Sequence, residues 1–228
     1  MPEARLGSRF AKVHAAFAPL LAFQESYASH LFEGTAVETP PGLALACEAF
    51  AIELASLHVE LLAEAALLPE TAAGRLVRLR VETDAFCGSH AAALAELAGS
   101  APPDPTLLEA ASEAGLFAGI YALSERLDEA FTEVFDGIET EEARWAFAVS
   151  FACRALIERP AIVRLSEELP GILFGGSDRD RPPFPTPSAI AESMTELAAL
   201  AGRDLSPEEV DRAEALAATI HAHFVGDL

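Results

Sequence analysis

The chain contains no asparagine, one glutamine and one lysine among 228 residues. Thermal adaptation would spare Asn and Gln but add Lys, so a GC-rich coding sequence accounts for all three shortages and none points to a function. Cysteine is nearly as scarce. Cys47, Cys87 and Cys153 are odd in number and widely spaced, so they imply no disulfide framework. Cys47 and Cys153 lie in apolar helical surroundings and are expected in the core. No run of apolar residues approaches the ~20 needed to span a bilayer. The most apolar stretch, Trp145 to Cys153, is far shorter. The opening residues carry no signal-peptide pattern, so the expectation is a cytoplasmic protein.

Positive charge is the remaining deficit. Fifteen Lys and Arg face 36 Asp and Glu, for a net charge of -21. Nucleic acid is not an expected partner, because phosphate contacts need clustered basic residues, and an anionic membrane surface is disfavoured for the same reason. Several signatures are also missing: Cys-x-x-Cys, His-Glu-x-x-His, Gly-x-Ser-x-Gly and a Gly-rich phosphate loop. No nucleotide, flavin, haem or other cofactor is implied.

What is present is helix. Apolar residues make up 51% of the chain, dominated by Ala and Leu with abundant Glu, a mixture that favours helices. Phe10, Val13, Phe17, Leu20 and Leu21 recur at three and four, which predicts an amphipathic helix reaching Phe32 and broken by Gly34 through Pro41. Further helices are expected from Leu43 to Leu67, and from Pro69 to Gly88 or Leu97. Another is expected from Asp104-Pro105 to Phe135, weakened by Gly115 and Gly119, which read as close-packing positions. Thr140 predicts a cap for a helix ending near Glu158. Pro160 is placed to start the next, reaching Phe174. Ser188 to Ala201 reads as helix, and Ser206-Pro207-Glu208-Glu209 as the start of the last. Residues 175–187 form the longest non-helical stretch. The expected fold is all-α, about eight helices in a single domain spanning 1–228.

The chain also reads as one unit written twice. Glu3-Ala4-Arg5, Phe10-Ala11 and Pro19 recur as Glu142-Ala143-Arg144, Phe151-Ala152 and Pro160. Glu53-Leu54-Ala55-Ser56-Leu57 recurs as Glu196-Leu197-Ala198-Ala199-Leu200, and Phe86 as Phe224. The copies cover 1–87 and 141–225, with 88–140 as bridging helices. The expectation is a pseudo-twofold pairing of helical units with a groove between them.

Two constellations carry chemistry. In Cys87-Gly88-Ser89-His90 a thiol and an imidazole lie about one helical turn apart, the spacing of a nucleophile and its base. Glu53, His58, Glu60 and Glu64 fall along one stretch of helix and offer a carboxylate-rich metal or small-molecule site, although the Glu-x-x-His of helical di-metal proteins is missing. His221 and His223, two apart, point to different faces.

The segment Phe151-Ala-Cys-Arg154-Ala155-Leu156 through Pro160, followed by Leu173-Phe174-Gly175-Gly176, resembles the AhpD-like helical superfamily of carboxymuconolactone decarboxylases and peroxidase-related proteins. Leu116-Phe117 through Arg126-Leu127 is similar to that family's closing helix. The resemblance implies a helical fold and thiol-dependent redox chemistry. The family's Cys-x-x-Cys with a following His is missing, which leaves Cys87 and His90. The sequence therefore predicts a non-catalytic binding or scaffold protein, forming a homodimer and engaging an unidentified protein or small molecule. A thiol-dependent oxidoreductase using Cys87 and His90 is the alternative.

Overall fold

The computed structural model describes residues 1–63, 70–158, 167–176 and 181–226. Among the described residues the fold is all-α, with nine helices and no strand. They are α1 (Pro2–Glu33), α2 (Ala46–Ala63), α3 (Glu70–Ala98), α4 (Pro105–Glu113), α5 (Leu116–Gly137), α6 (Glu141–Glu158), α7 (Leu169–Phe174), α8 (Ser188–Leu200) and α9 (Pro207–Val225). No helix of the described residues is long and apolar enough to cross a membrane.

Local chemistry explains most of the boundaries. Asp104 accepts the Thr106 and Leu107 amides and starts α4, with Pro105 in the first turn, where its missing N–H costs nothing. Thr140 Oγ1 accepts the Ala143 amide at the start of α6. Ser206 and Glu209 exchange side-chain and backbone hydrogen bonds in a capping box at α9. All three starts are written in the sequence. The helix expected to run from Asp104 to Phe135 is instead two helices. Gly115 adopts a left-handed φ of 86° between them, a conformation that ends a helix and suits only glycine. Gly119 does mark close packing, because an added Cβ would come within 2.8 Å of the Phe86 ring. The helix starts expected at Pro69 and Pro160 lie outside the described residues.

The chain divides into two compact units. One is continuous, Ala16–Val134; the other is discontinuous, Met1–Ala15 with Phe135–Leu228. The division inside α1 falls at Ala15, whose carbonyl is the one that Pro19 cannot bond for want of an N–H. This division does not follow the repeat expected from the sequence: residues 1–15 lie in the same unit as 141–225.

The continuous unit packs α2 against α3. Its core is built on Leu54, Leu57, Leu76 and Leu79, each at most 1% exposed. Phe17 lies beside Phe50, with ring centroids 4.8 Å apart. Tyr27 stacks on Phe117 and donates to Ser112 Oγ. Each fully buried leucine contributes roughly 1.5–3 kcal/mol relative to exposure.

The discontinuous unit packs α9 against α6 and α8. Its core joins Ala4 of α1 to Val149, Cys153, Leu197 and Ile220. Phe10 meets Phe147 with ring centroids 6.0 Å apart. Gly7 permits this approach, since any side chain there would run into the Phe147 backbone carbonyl.

Candidate functional site

The residue with the most chemical potential is Cys87, on α3. Approach to it is set by the start of α2. Gly42, with a left-handed φ of 83°, turns the chain into a 3-10 turn at Leu43–Leu45 that leads directly into α2. Leu43 is buried and anchors that turn. Cys47 therefore sits in the first turn of α2, 5% exposed, against α3. The Cys87 thiol donates to the Cys47 backbone carbonyl at 3.6 Å, which brings the two cysteines together across α2 and α3.

This pairing makes the two thiols unequal. The Cys47 hydrogen bond lowers the Cys87 pKa from its ordinary value, and it outweighs burial and the Asp84 carboxylate, which act in the opposite direction. The same hydrogen bond raises the Cys47 pKa, and burial and the charge on Cys87 add to the rise. Of the two sulphurs, the half-exposed Cys87 is the one whose ionisation is favoured, and the buried Cys47 the one whose ionisation is opposed. Both cysteines are free thiols. Cys153 has no such partner. It is fully buried in α6, and burial alone pushes its thiol up to about 12.

His90 does not act as the partner expected from sequence. No hydrogen bond joins it to Cys87; its ring lies beside Phe86, with centroids 4.9 Å apart. One helical turn on α3 brings the imidazole near, but Phe86 takes its face. The contact made by the Cys87 thiol is instead to Cys47, forty residues away in sequence. The signal was present in the sequence: two cysteines on neighbouring amphipathic helices joined by a short connection. Reading Cys47 as core was right about its burial and missed its partner.

The residues of the carboxylate-rich stretch on α2 are placed as follows, as far as they are described. His58 Nδ1 accepts from the Arg80 guanidinium at 3.4 Å, which puts a cation where a metal would have to sit. Glu53 Oε2 is buried without a hydrogen-bond partner, Glu60 is half-buried, and Glu64 lies outside the described residues. Among the described residues no three His, Cys, Asp or Glu side chains form a metal-sized group.

The discontinuous unit contains a polar pair that sequence spacing did not reveal. His221 of α9 and Ser8 of α1 are hydrogen-bonded at 2.9 Å. They are 7% and 3% exposed. Burial lowers the His221 pKa to about 4, with help from the charges of Arg154 and Lys12. The imidazole is therefore neutral at pH 7. His223, two residues on, is exposed.

No family model, curated protein or solved structure matches this chain.

Proposed function

We propose that the protein is a thiol–disulfide oxidoreductase whose reactive centre is the Cys47–Cys87 pair. One observation carries the reading: two free cysteines from neighbouring helices meet, the half-exposed Cys87 thiol donating to the backbone carbonyl of the buried Cys47 at 3.6 Å. The Cys87 thiolate attacks one sulphur of a substrate disulfide, forming a mixed disulfide and releasing the other half as a thiolate, which takes up a proton. Cys47 then gives up its proton and attacks the Cys87 sulphur. The intramolecular disulfide forms and the second half of the substrate leaves as a thiol. Two electrons and two protons pass from the protein dithiol to the substrate disulfide. Turnover requires an external dithiol to reverse the last step. This chemistry agrees in class with the AhpD-like resemblance, with the two thiols contributed by two helices in place of one Cys-x-x-Cys turn.

The test is alkylation as a function of pH, combined with oxidised glutathione. Cys87 is expected to alkylate at neutral pH at least about tenfold faster than Cys153. Oxidised glutathione is expected to convert the pair to a Cys47–Cys87 disulfide, seen as a cross-linked peptide by mass spectrometry. In Cys47→Ser the reaction should stop at a glutathione adduct on Cys87. An adduct that persists in the unsubstituted protein would remove Cys47 from the mechanism, and a Cys87 no faster than a free thiol would remove the whole reading.

A second reading, the non-catalytic binding protein, is favoured by a different observation. Leu45, Ile52 and Val59, seven residues apart along the start and length of α2, are 65%, 55% and 66% exposed. A row of large apolar residues at helical spacing on the outside of a helix marks a contact surface, and a second copy of the chain is its proposed occupant.

A further inference from the structure

The thiol pair lies in the more acidic of the two units. Residues 16–134 hold four arginines and no lysine against eighteen Asp and Glu, and so carry two thirds of the net charge of -21. Three of those arginines are engaged: Arg75 with Glu129 and Glu133, Arg126 with Glu82 and Glu129, and Arg80 with His58. No Lys or Arg occurs from Val13 to Gly74 or from Val81 to Glu125. All of α2, and α3 from Val81 onward, is therefore without a permanent cation.

The charged side chains flanking the two cysteines are carboxylates. Asp84 stands one turn before Cys87 on α3, is exposed, and its charge opposes the Cys87 thiolate. Glu48 follows Cys47 in the first turn of α2 and is exposed. A substrate approaching Cys87 meets negative charge from both helices, which attracts a cation and repels an anion. A cation placed beside Asp84 also offsets the carboxylate that opposes the thiolate, and so favours the nucleophile that attacks it. The approach is open. Ala85, Gly88, Ser89, Ala91 and Ala92 are exposed, and a side chain added at Gly88 would meet nothing within 4 Å. These small residues leave room for a chain lying across α3 and do not enclose a small molecule.

We infer that the substrate of the Cys47–Cys87 pair is a disulfide in a basic polypeptide segment, with Lys or Arg beside the sulphurs. This substrate class rests on the oxidoreductase reading of the pair. The Cys87 thiolate attacks one substrate sulphur, the other leaves as a thiolate and takes up a proton, and Cys47 closes the protein disulfide with release of the second thiol.

The experiment uses the full reduced chain and three disulfide-linked dimers of a short, capped peptide with a single Cys. The peptides differ only at the residue beside that Cys, which is Lys, Ser or Glu. Cystamine, a small disulfide with the same charge as the Lys dimer, is the fourth probe. Each rate of Cys47–Cys87 disulfide formation is divided by that probe's rate with 2-mercaptoethanol, which removes differences in intrinsic reactivity. At low ionic strength the Lys dimer is expected to react at least about tenfold faster than the Glu dimer, with the Ser dimer between them. The ratio should shrink severalfold in about 0.5 M salt. Asp84→Asn, an exposed substitution, should slow the Lys dimer and speed the Glu dimer, lowering their ratio about threefold. Cystamine should react more slowly than the Lys dimer. Equal rates for the three peptides, or an unchanged ratio in Asp84→Asn, overturn the cationic substrate while the disulfide still forms. Cystamine at or above the Lys dimer overturns the polypeptide as its source. No Cys47–Cys87 disulfide with any probe overturns the oxidoreductase reading itself.

Discussion

The helix pairs α2–α3 and α8–α9, which the repeat expected from the sequence would align, differ where chemistry would reside. Leu54 and Leu57 correspond to Leu197 and Leu200, and Phe86 to Phe224; all six are buried. The polar positions diverge. Thr83 and Cys87 on α3 stand where α9 has His221 and Val225. Cys47 on α2 stands where α8 has Ile190, so the dithiol has no counterpart. The outer faces diverge too: exposed Leu45, just before α2, and Ile52 on α2 fall where the expected repeat would place exposed Ser188 and Thr195 of α8. The same packing positions thus frame a thiol pair and an apolar outer row in one pair, and a buried imidazole and a polar exterior in the other.

The shared positions give the largest expected effect. Leu54→Ala and Leu197→Ala should each cost about 2–5 kcal/mol, since both leucines are fully buried and leave a cavity. Chemical denaturation measures both. A near-neutral result at one of them would mean that the two pairs do not share a packing role, and the comparison would fail there.

His221 gives the next effect, and its sign can be worked out. With a pKa near 4 in the folded chain and an ordinary value of 6.5, the imidazole is neutral in both states above pH 6.5 and contributes no pH dependence. Between pH 6.5 and 4 the unfolded chain takes up the proton first, so stability falls as pH falls. The loss from this group approaches about 3 kcal/mol at the acid end. His221→Gln can keep a hydrogen bond to Ser8 and cannot titrate. Its stability, followed by denaturant unfolding from pH 7 to 4, should fall less steeply than that of the unsubstituted chain by that amount. Parallel curves would mean that the buried imidazole does not distinguish α9 from α3 in this way. The matching position, Thr83, has no titratable group, so Thr83→Val should leave the slope unchanged.

The smallest effect on stability is expected on the outer face. Ile52→Thr gives α2 the residue that α8 carries at Thr195 and should change stability by no more than about 0.5 kcal/mol, as exposed substitutions do. Its readout is mass. Sedimentation should show the unsubstituted chain as a dimer and Ile52→Thr, combined with Leu45→Ser, as a monomer. A monomer in both cases would leave the α2 row without the second copy as its partner.

The sequence revealed what is local. Asp104, Thr140 and Ser206 cap helices because a short oxygen-bearing side chain reaches amides two or three residues ahead, and that reach is a matter of spacing. Gly34 ends α1 with a φ of 72° for a reason equally local. Gly115 and Gly119 show the limit. Both are glycines within an apparently helical run, yet one is there for its backbone angle and the other for its closeness to Phe86, and only tertiary structure separates the two. The site was less legible. Cys87 was identified, but through His90, its neighbour in sequence, because the Cys47 partner is brought in by the packing of α2 on α3. His221 and Ser8 lie 213 residues apart, and no spacing rule connects them.

The discontinuity of the second unit also sets an order of events during synthesis. Every residue of the continuous unit has been synthesised by the time the chain has grown to Val134. Ala4, Phe10 and Ser8 also pack with residues made later, among them Phe147, Ile220 and His221. At ~5–20 residues per second, the apolar face of the first helical turns waits on the order of ten seconds after Val134 for α9 to appear. During that interval those apolar side chains lack their α6 and α9 neighbours, and its length grows with the number of residues between Val134 and α9.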